Sequence, residues 1–273
     1  MMTARIRRPA VAGYYYPADP GRLKQTINEL MPDAPAAREA ATAVILPHGS
    51  YRHAGTIFAA TIGHIRIPRR CILLGPSHTG SWMPWSIMTD GAYRTPLGEV
   101  PIDTACADAL RQRCPFLEAD AWAQRGEHAI EVLLPWLQHR GPADLSIVPI
   151  VMGTGSREDI AQLAVALAQV IRMQEEPVLL IASADLSHYE PQERVVEQDR
   201  MLIETMTELK GSRVFEHLDA HDVVMCGAGA VACILDASVA LGATRATLAK
   251  YGTSAEAGGD PYAAVGYAGV IIR

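Results

Sequence analysis

The sequence predicts a one-domain α/β fold with a mixed, largely parallel central sheet flanked by helices. Three observations lead there. Four short apolar runs are bounded by turn or polar residues: 42–46 (TAVIL), 71–74 (CILL), 145–151 (LSIVPIV) and 178–182 (VLLIA). Continuous runs of this length suit strands buried on both faces. Helical patterns alternate with them, as in α/β proteins. Finally, a turn-bearing segment at 86–100 and β-type pieces at 246–250 and 263–272 add antiparallel strands.

In chain order, residues 1–41 form an N-terminal segment ending in a Pro/Ala-rich connection, 31–41 (MPDAPAAREAA). It reads as an exposed tie to the main body, so that 1–273 is one domain. The strand at 42–46 precedes a candidate helix at 55–65. After the strand at 71–74, the 86–100 excursion carries Asp90-Gly91 and Pro96-Leu97-Gly98 turns. A helix is expected at 127–138 and another at 156–173. In the latter, Ser156 and Asp159 are spaced as a capping box, and Ile160, Leu163, Leu167 and Val170 share one face. The apolar run 223–235 is interrupted by glycines and, at 13 residues, is too short to span a bilayer. It reads as a buried helix.

Composition narrows the function classes. The 273-residue chain is 49% hydrophobic, enough for a sizeable core, and its net charge of −6 argues against nucleic acid or anionic membrane as a partner. The N-terminus has three arginines with no apolar stretch behind them, unlike a signal peptide. The five cysteines are scattered without a CxxC pair, which fits a reducing cytoplasm better than a disulfide framework.

Three of the core strands end in a chemistry-bearing group. The first runs into Pro47-His48, the second into Gly75-Pro76-Ser77-His78, and the 178–182 strand into Asp185 and His188. In open α/β sheets ligands bind outside the carboxyl ends of strands, so these groups are expected to converge on one crevice. A lone histidine is as often a hydrogen-bonded structural residue, but the turns around His48 and His78 project both off strand tips. Asp185 and His188 are three apart and would share a face in a helical turn. Asp185 could bind metal, move a proton or orient an imidazole; its bland alternative is a helix N-cap.

Cys226 is flanked by Gly227 and opens the apolar helix, where backbone N–H groups would favour its thiolate. Its alternative is a small buried hydrophobe, the expectation for Cys71, Cys106, Cys114 and Cys233. Glu127 and Glu131 fall four apart on the 127–138 helix, with His128 beside them. They form either a solvated face or support for the site. His53 is near enough to His48 to line the same pocket.

These segments together resemble the Memo family. The matches are Val11-Ala12-Gly13-Tyr14-Tyr15-Tyr16-Pro17, the Pro47-His48 loop, Gly75-Pro76-Ser77-His78, Glu127-His128-Ala129-Ile130-Glu131 with Leu134-Pro135-Trp136-Leu137, the 183–189 SADLSHY segment, and Cys226-Gly227. They run in order nearly end to end. The resemblance implies a fold like that of class III extradiol dioxygenases and a pocket of two histidines and a cysteine, here His48, His78 and Cys226, with Asp185 and His188 beside it. It implies iron or copper as metal, with zinc open, and a radical-SAM protein as partner, as the name AmmeMemoRadiSam records. The chain departs from the family loop at Ser50, where a glycine is usual, and at His53, where an aromatic is usual.

Two readings follow. One is a metal-dependent redox or oxygenase-like enzyme acting on a small molecule, with His48, His78 and Cys226 on the metal and Asp185, His188, Glu127 and His128 in catalytic support. The other is a non-catalytic protein that binds a metal, peptide or partner in the same pocket. A zinc hydrolase is a third, weaker reading, since no HExxH pattern occurs.

Overall fold

A computed structural model describes residues 5–31, 38–80 and 85–273. Most of the expected 31–41 connection lies outside the described residues.

The expected strands are present. β2 (Ala43–Leu46), β3 (Arg70–Pro76), β7 (Ser146–Met152) and β8 (Val178–Ser183) pair in parallel in the order β2-β8-β3-β7. β10 (Ala246–Thr253) and β11 (Ala264–Ile272) extend the β2 edge antiparallel, and β4 (Ser86–Ile87) pairs antiparallel with β7. β9 (His188–Glu190) also pairs with β11. A separate sheet joins β1 (Ile6–Arg7) to the hairpin of β5 (Ala92–Thr95) and β6 (Gly98–Pro101). The 86–100 excursion is thus antiparallel, as its turns predict.

Unbroken apolar strands are explained by cover on both sheet faces. Along β2, Ala43 and Ile45 enter one hydrophobic cluster, while Val44 and Leu46 enter the other. Ile72 and Leu74 of β3 likewise oppose Cys71 and Leu73. This is the two-residue strand period with a core on each side. The first face is covered by α3 (Thr104–Arg113), α5 (Arg157–Arg172), α8 (Ala228–Ala240) and, over β10 and β11, α6 (Gln192–Thr207), with α7 (Gly211–His221) packed on α6 and α8. The other is covered by α1 (Pro20–Leu30), α2 (Tyr51–Ile62) and α4 (Leu134–Arg140). In α5 the Ser156–Asp159 capping box forms, and the predicted apolar face is buried.

Three helical expectations are corrected. The segment 127–138 is not one helix: Glu127 lies in an irregular stretch, Glu131–Leu133 is a single 3₁₀ turn, and α4 begins at Leu134, where Pro135 suits a first turn. Glu127 and Glu131 therefore share no helical face, and neither is solvated. The helix expected from 223 begins at Ala228, because Gly227 sits at φ 80° as its cap. Asp185 and His188 do not lie in a helical turn: Asp185 bridges to Cys226, and His188 opens β9.

No helix among the described residues is long and apolar enough to cross a membrane. All five cysteines are free; Cys71, Cys106, Cys114 and Cys233 are buried, as expected for core residues.

Candidate metal centre

Adjacent strands β2, β8 and β3 deliver His48, Asp185 and His78 from their carboxyl ends. The chain leaves β2 for β3 and later inserts β8 between them, so the crevice lies where strand order departs from chain order. The pocket there has a volume of about 680 Å³ and takes in His48, His78, His128, Asp185, His188 and Cys226. His53 also lines it, with its Nδ1 3.3 Å from Ser50 Oγ. The two departures from the family loop are therefore neighbours at the pocket wall.

His48 is buried, and its tautomer follows from its partners. The Ser183 hydroxyl donates to the Ala129 carbonyl at 2.6 Å, so its oxygen can only accept from the imidazole 2.9 Å away. The His48 proton therefore sits on Nδ1, leaving the Nε2 lone pair directed at Cys226 Sγ, 3.1 Å away. The backbone N–H of His48 donates to Asp185 Oδ1 at 2.7 Å. Burial, reinforced by His78, pulls His48 down to about 3, so the ring is neutral near pH 7. Its 3.7 Å approach to Asp185 Oδ2 is then not an ion pair.

His78 is oriented by Glu127. The carboxylate accepts its backbone N–H at 2.5 Å and its ring Nδ1–H at 2.9 Å, and also takes the Ala129 N–H at 2.8 Å. Burial alone would raise the Glu127 carboxyl; the bonds from His78 outweigh it and hold it at about 2. Burial likewise opposes the charged His78 ring, but Glu127 more than offsets this and raises it. This carboxylate–imidazole pairing is the support metal-binding histidines commonly have. His128 stacks on His78 with ring centroids 4.6 Å apart, and the Tyr15 ring packs tilted against His128 at 4.8 Å. Burial and His48 lower His128 to about 4.

Asp185 is buried and raised to about 6, against the lowering effect of the His48 N–H. Cys226 Sγ lies 3.6 Å from the Asp185 carbonyl and 3.5 Å from His188 Nε2. The expected thiolate-favouring setting is not what the fold builds: burial, then the Asp185 charge, push the thiol up. Because α8 begins two residues later, its N–H groups do little to offset that. A Cβ on Gly227 would stand 2.3 Å from the Ser183 carbonyl oxygen, so glycine is what lets the Cys226 segment lie against β8.

The donor atoms form two groups sharing His48. Those of His48, His78 and His128 lie within 4.8 Å of one another, as do those of His48, Asp185 and Cys226. His78 and Cys226, expected together, fall in different groups. Sequence alone gives no role to Ser183, Tyr15 or Tyr267: Tyr15 and Tyr267 line the pocket, and Ser183 holds the His48 ring from behind. Ser183 is the last residue of an apolar strand, and its role appears only once the Ala129 carbonyl is opposite.

A neutral, oriented imidazole, a second imidazole backed by a carboxylate, a thiol and a buried carboxylate suit a borderline transition metal rather than calcium or magnesium. His188 Nδ1 is a further buried nitrogen without a hydrogen-bond partner among the described residues.

The Memo-like protein family profile matches residues 7–271. Over nearly the full length of both chains, the protein is 37% identical to a MEMO1 family protein of Methanopyrus kandleri (98% of this chain, 99% of the relative). It is 34% identical to one of Methanosarcina barkeri (98% and 100%) and 32% identical to one of Aquifex aeolicus (98% and 99%). The six motifs that line or brace the pocket all lie within these alignments, and the chain belongs to the Memo family.

Proposed function

We propose that this Memo protein is a metal-dependent redox enzyme, oxygenase-like in its chemistry, acting on a small molecule in the pocket. The chain, 1–273, acts as one Memo-like domain, with the described part of its N-terminal segment held on the body through Glu131. The observation that carries the reading is the His48 ring: Nδ1 is spent on Ser183, and the unprotonated Nε2 faces the remaining donors. His48 would hold the metal with Cys226 and Asp185, or with His78 and His128. Bound iron or copper would supply one-electron chemistry with oxygen, and zinc only a Lewis acid.

The chain's own residues do the rest. Glu127 keeps His78 fixed by gripping both its backbone and its ring. Asp185, at about 6, can take or release a proton near neutrality, and His188 lies within reach of the Cys226 sulfur. A metal held through Cys226 would require the thiolate; with His48 Nε2 committed to the ion, His188 Nε2, 3.5 Å from the sulfur, is the base placed to take the thiol proton. Tyr15 and Tyr267 wall the pocket, while the exposed Tyr14 and Tyr189 rim its mouth.

The likeness to class III extradiol dioxygenases, a radical-SAM partner and the AmmeMemoRadiSam association are carried by the family resemblance. The cytoplasm as location is supported by five free cysteines. The alternative is a non-catalytic metal-, peptide- or partner-binding protein, favoured by the exposed rim. Anaerobic loading in competition between iron, copper and zinc, followed by exposure to oxygen, tests the choice. Retention of iron or copper with oxygen-dependent spectral change and oxygen uptake is expected. Retention of zinc alone, with no oxygen uptake, overturns the redox reading.

A further inference from the structure

We propose that a second cavity, bounded by Arg5, Arg8, Arg125 and Trp122, binds a planar aromatic ligand carrying phosphate groups, of the nucleotide class. The cavity measures about 800 Å³ and shares no lining residue with the metal pocket. Its walls come from the β1 segment and from the stretch just before Glu127.

Charge is the first argument. The protein carries a net charge of −6, yet this cavity gathers four arginines and, among the described residues, no acidic side chain lines it. Arg7 is already spent: it is buried, paired with Glu131, and bonded to the carbonyls of Gln124 and Glu127. Arg5, Arg8 and Arg125 are exposed and form no ion pair among the described residues. Concentrated guanidinium groups with no carboxylate partner among the described residues suit phosphate oxygens, which they can grip in pairs.

The second argument is the aromatic shelf. Trp122 is 74% exposed although it is the largest side-chain type. The Arg125 guanidinium carbon stands 4.8 Å from the centroid of its ring. The turn beneath is fixed: Asp120 Oδ1 accepts the N–H of Trp122 at 2.8 Å and of Ala123 at 3.3 Å, and the Arg125 N–H reaches the Trp122 carbonyl at 3.0 Å. An indole beside a guanidinium on a braced turn offers a stacking surface for a base. A concave cavity of this size fits a small molecule better than a flat acidic protein surface.

Calorimetric titration at low salt tests this with ADP, pyrophosphate and adenosine as probes. ADP is expected to bind more tightly than either of its parts. Arg8→Ala and Arg125→Ala should each weaken ADP about tenfold, the loss of one charge-assisted contact. Trp122→Ala should reduce ADP to the affinity of pyrophosphate while leaving pyrophosphate unchanged. All three side chains are exposed, and matching circular dichroism spectra will show that the variants fold. No heat with ADP, pyrophosphate or adenosine binding as tightly as ADP, polyglutamate binding as tightly, or ADP affinity unmoved by the arginine variants would each overturn the proposal.

Discussion

Replacing Glu131 by leucine should be among the costliest single changes in this protein. The Glu131 carboxylate is fully buried and gathers the N-terminal segment onto the body. It pairs with the Arg7 guanidinium and accepts the N–H of Ala10 at 2.7 Å, the N–H of Val11 at 3.0 Å and the Tyr16 hydroxyl at 2.6 Å. Arg7 is itself only 4% exposed and stacks over Tyr93 at 4.8 Å, so it cannot turn to water once its partner is gone. Removing one member of a buried pair costs about 3–5 kcal/mol, chiefly through the charge left behind. Glu131→Leu and Arg7→Met should therefore each lose roughly that much in urea unfolding. The double variant removes both charges of this pair, so its loss should fall short of the sum by about 2 kcal/mol or more. It should still lie below the parent, because Tyr16 and two backbone N–H groups remain without their acceptor. A Glu131→Leu loss under about 1 kcal/mol, or strictly additive losses, would refute the reasoning.

Three further outcomes are expected. Ser183→Ala removes the group that fixes the His48 tautomer and should weaken metal binding about 10–100-fold, read by chelator competition; unchanged affinity counts against the tautomer argument. Gly227→Ala forces a Cβ toward the Ser183 carbonyl at a positive φ and should cost about 1–3 kcal/mol in urea unfolding; a neutral result would show that the Cys226 segment is not held there. The metal-free protein should lose stability on acidification. His48, His128 and Glu127 sit at about 3, 4 and 2 in the fold, below their ordinary values, so the unfolded chain binds more protons as pH falls from about 6.5. Asp185, raised to about 6, and His78, also raised, work in the opposite direction and soften the slope. A lower urea midpoint at pH 5 than at pH 7 is expected; an equal or higher one contradicts the assignment.

Much of the sheet is legible because strands buried on both faces read as unbroken apolar runs, and the β2, β3, β7 and β8 segments all do. The convergence of His48, His78 and Asp185 follows from those runs, since each residue stands just past a strand's carboxyl end. What escapes a linear reading depends on tertiary partners. Glu127 and Glu131 look like a helical i,i+4 pair, but each is drawn to a different partner, His78 or Arg7, more than 45 residues away in sequence for the nearer case. Cys226 looks like a helix-start thiol, but a left-handed Gly227 delays the helix and leaves the sulfur against Asp185. The Ser183 role requires knowing that the Ala129 carbonyl lies opposite.

Metal content after anaerobic loading, compared across the parent and the variants His48→Ala, His78→Ala and Cys226→Ala, tests the central claim most directly. Because His48 belongs to both donor groups, His48→Ala should lose the metal whichever group holds it. A loss shared with Cys226→Ala would place the ion on the Asp185 side, and a loss shared with His78→Ala would place it on the His128 side. Parent-level metal in a folded His48→Ala variant would contradict the account.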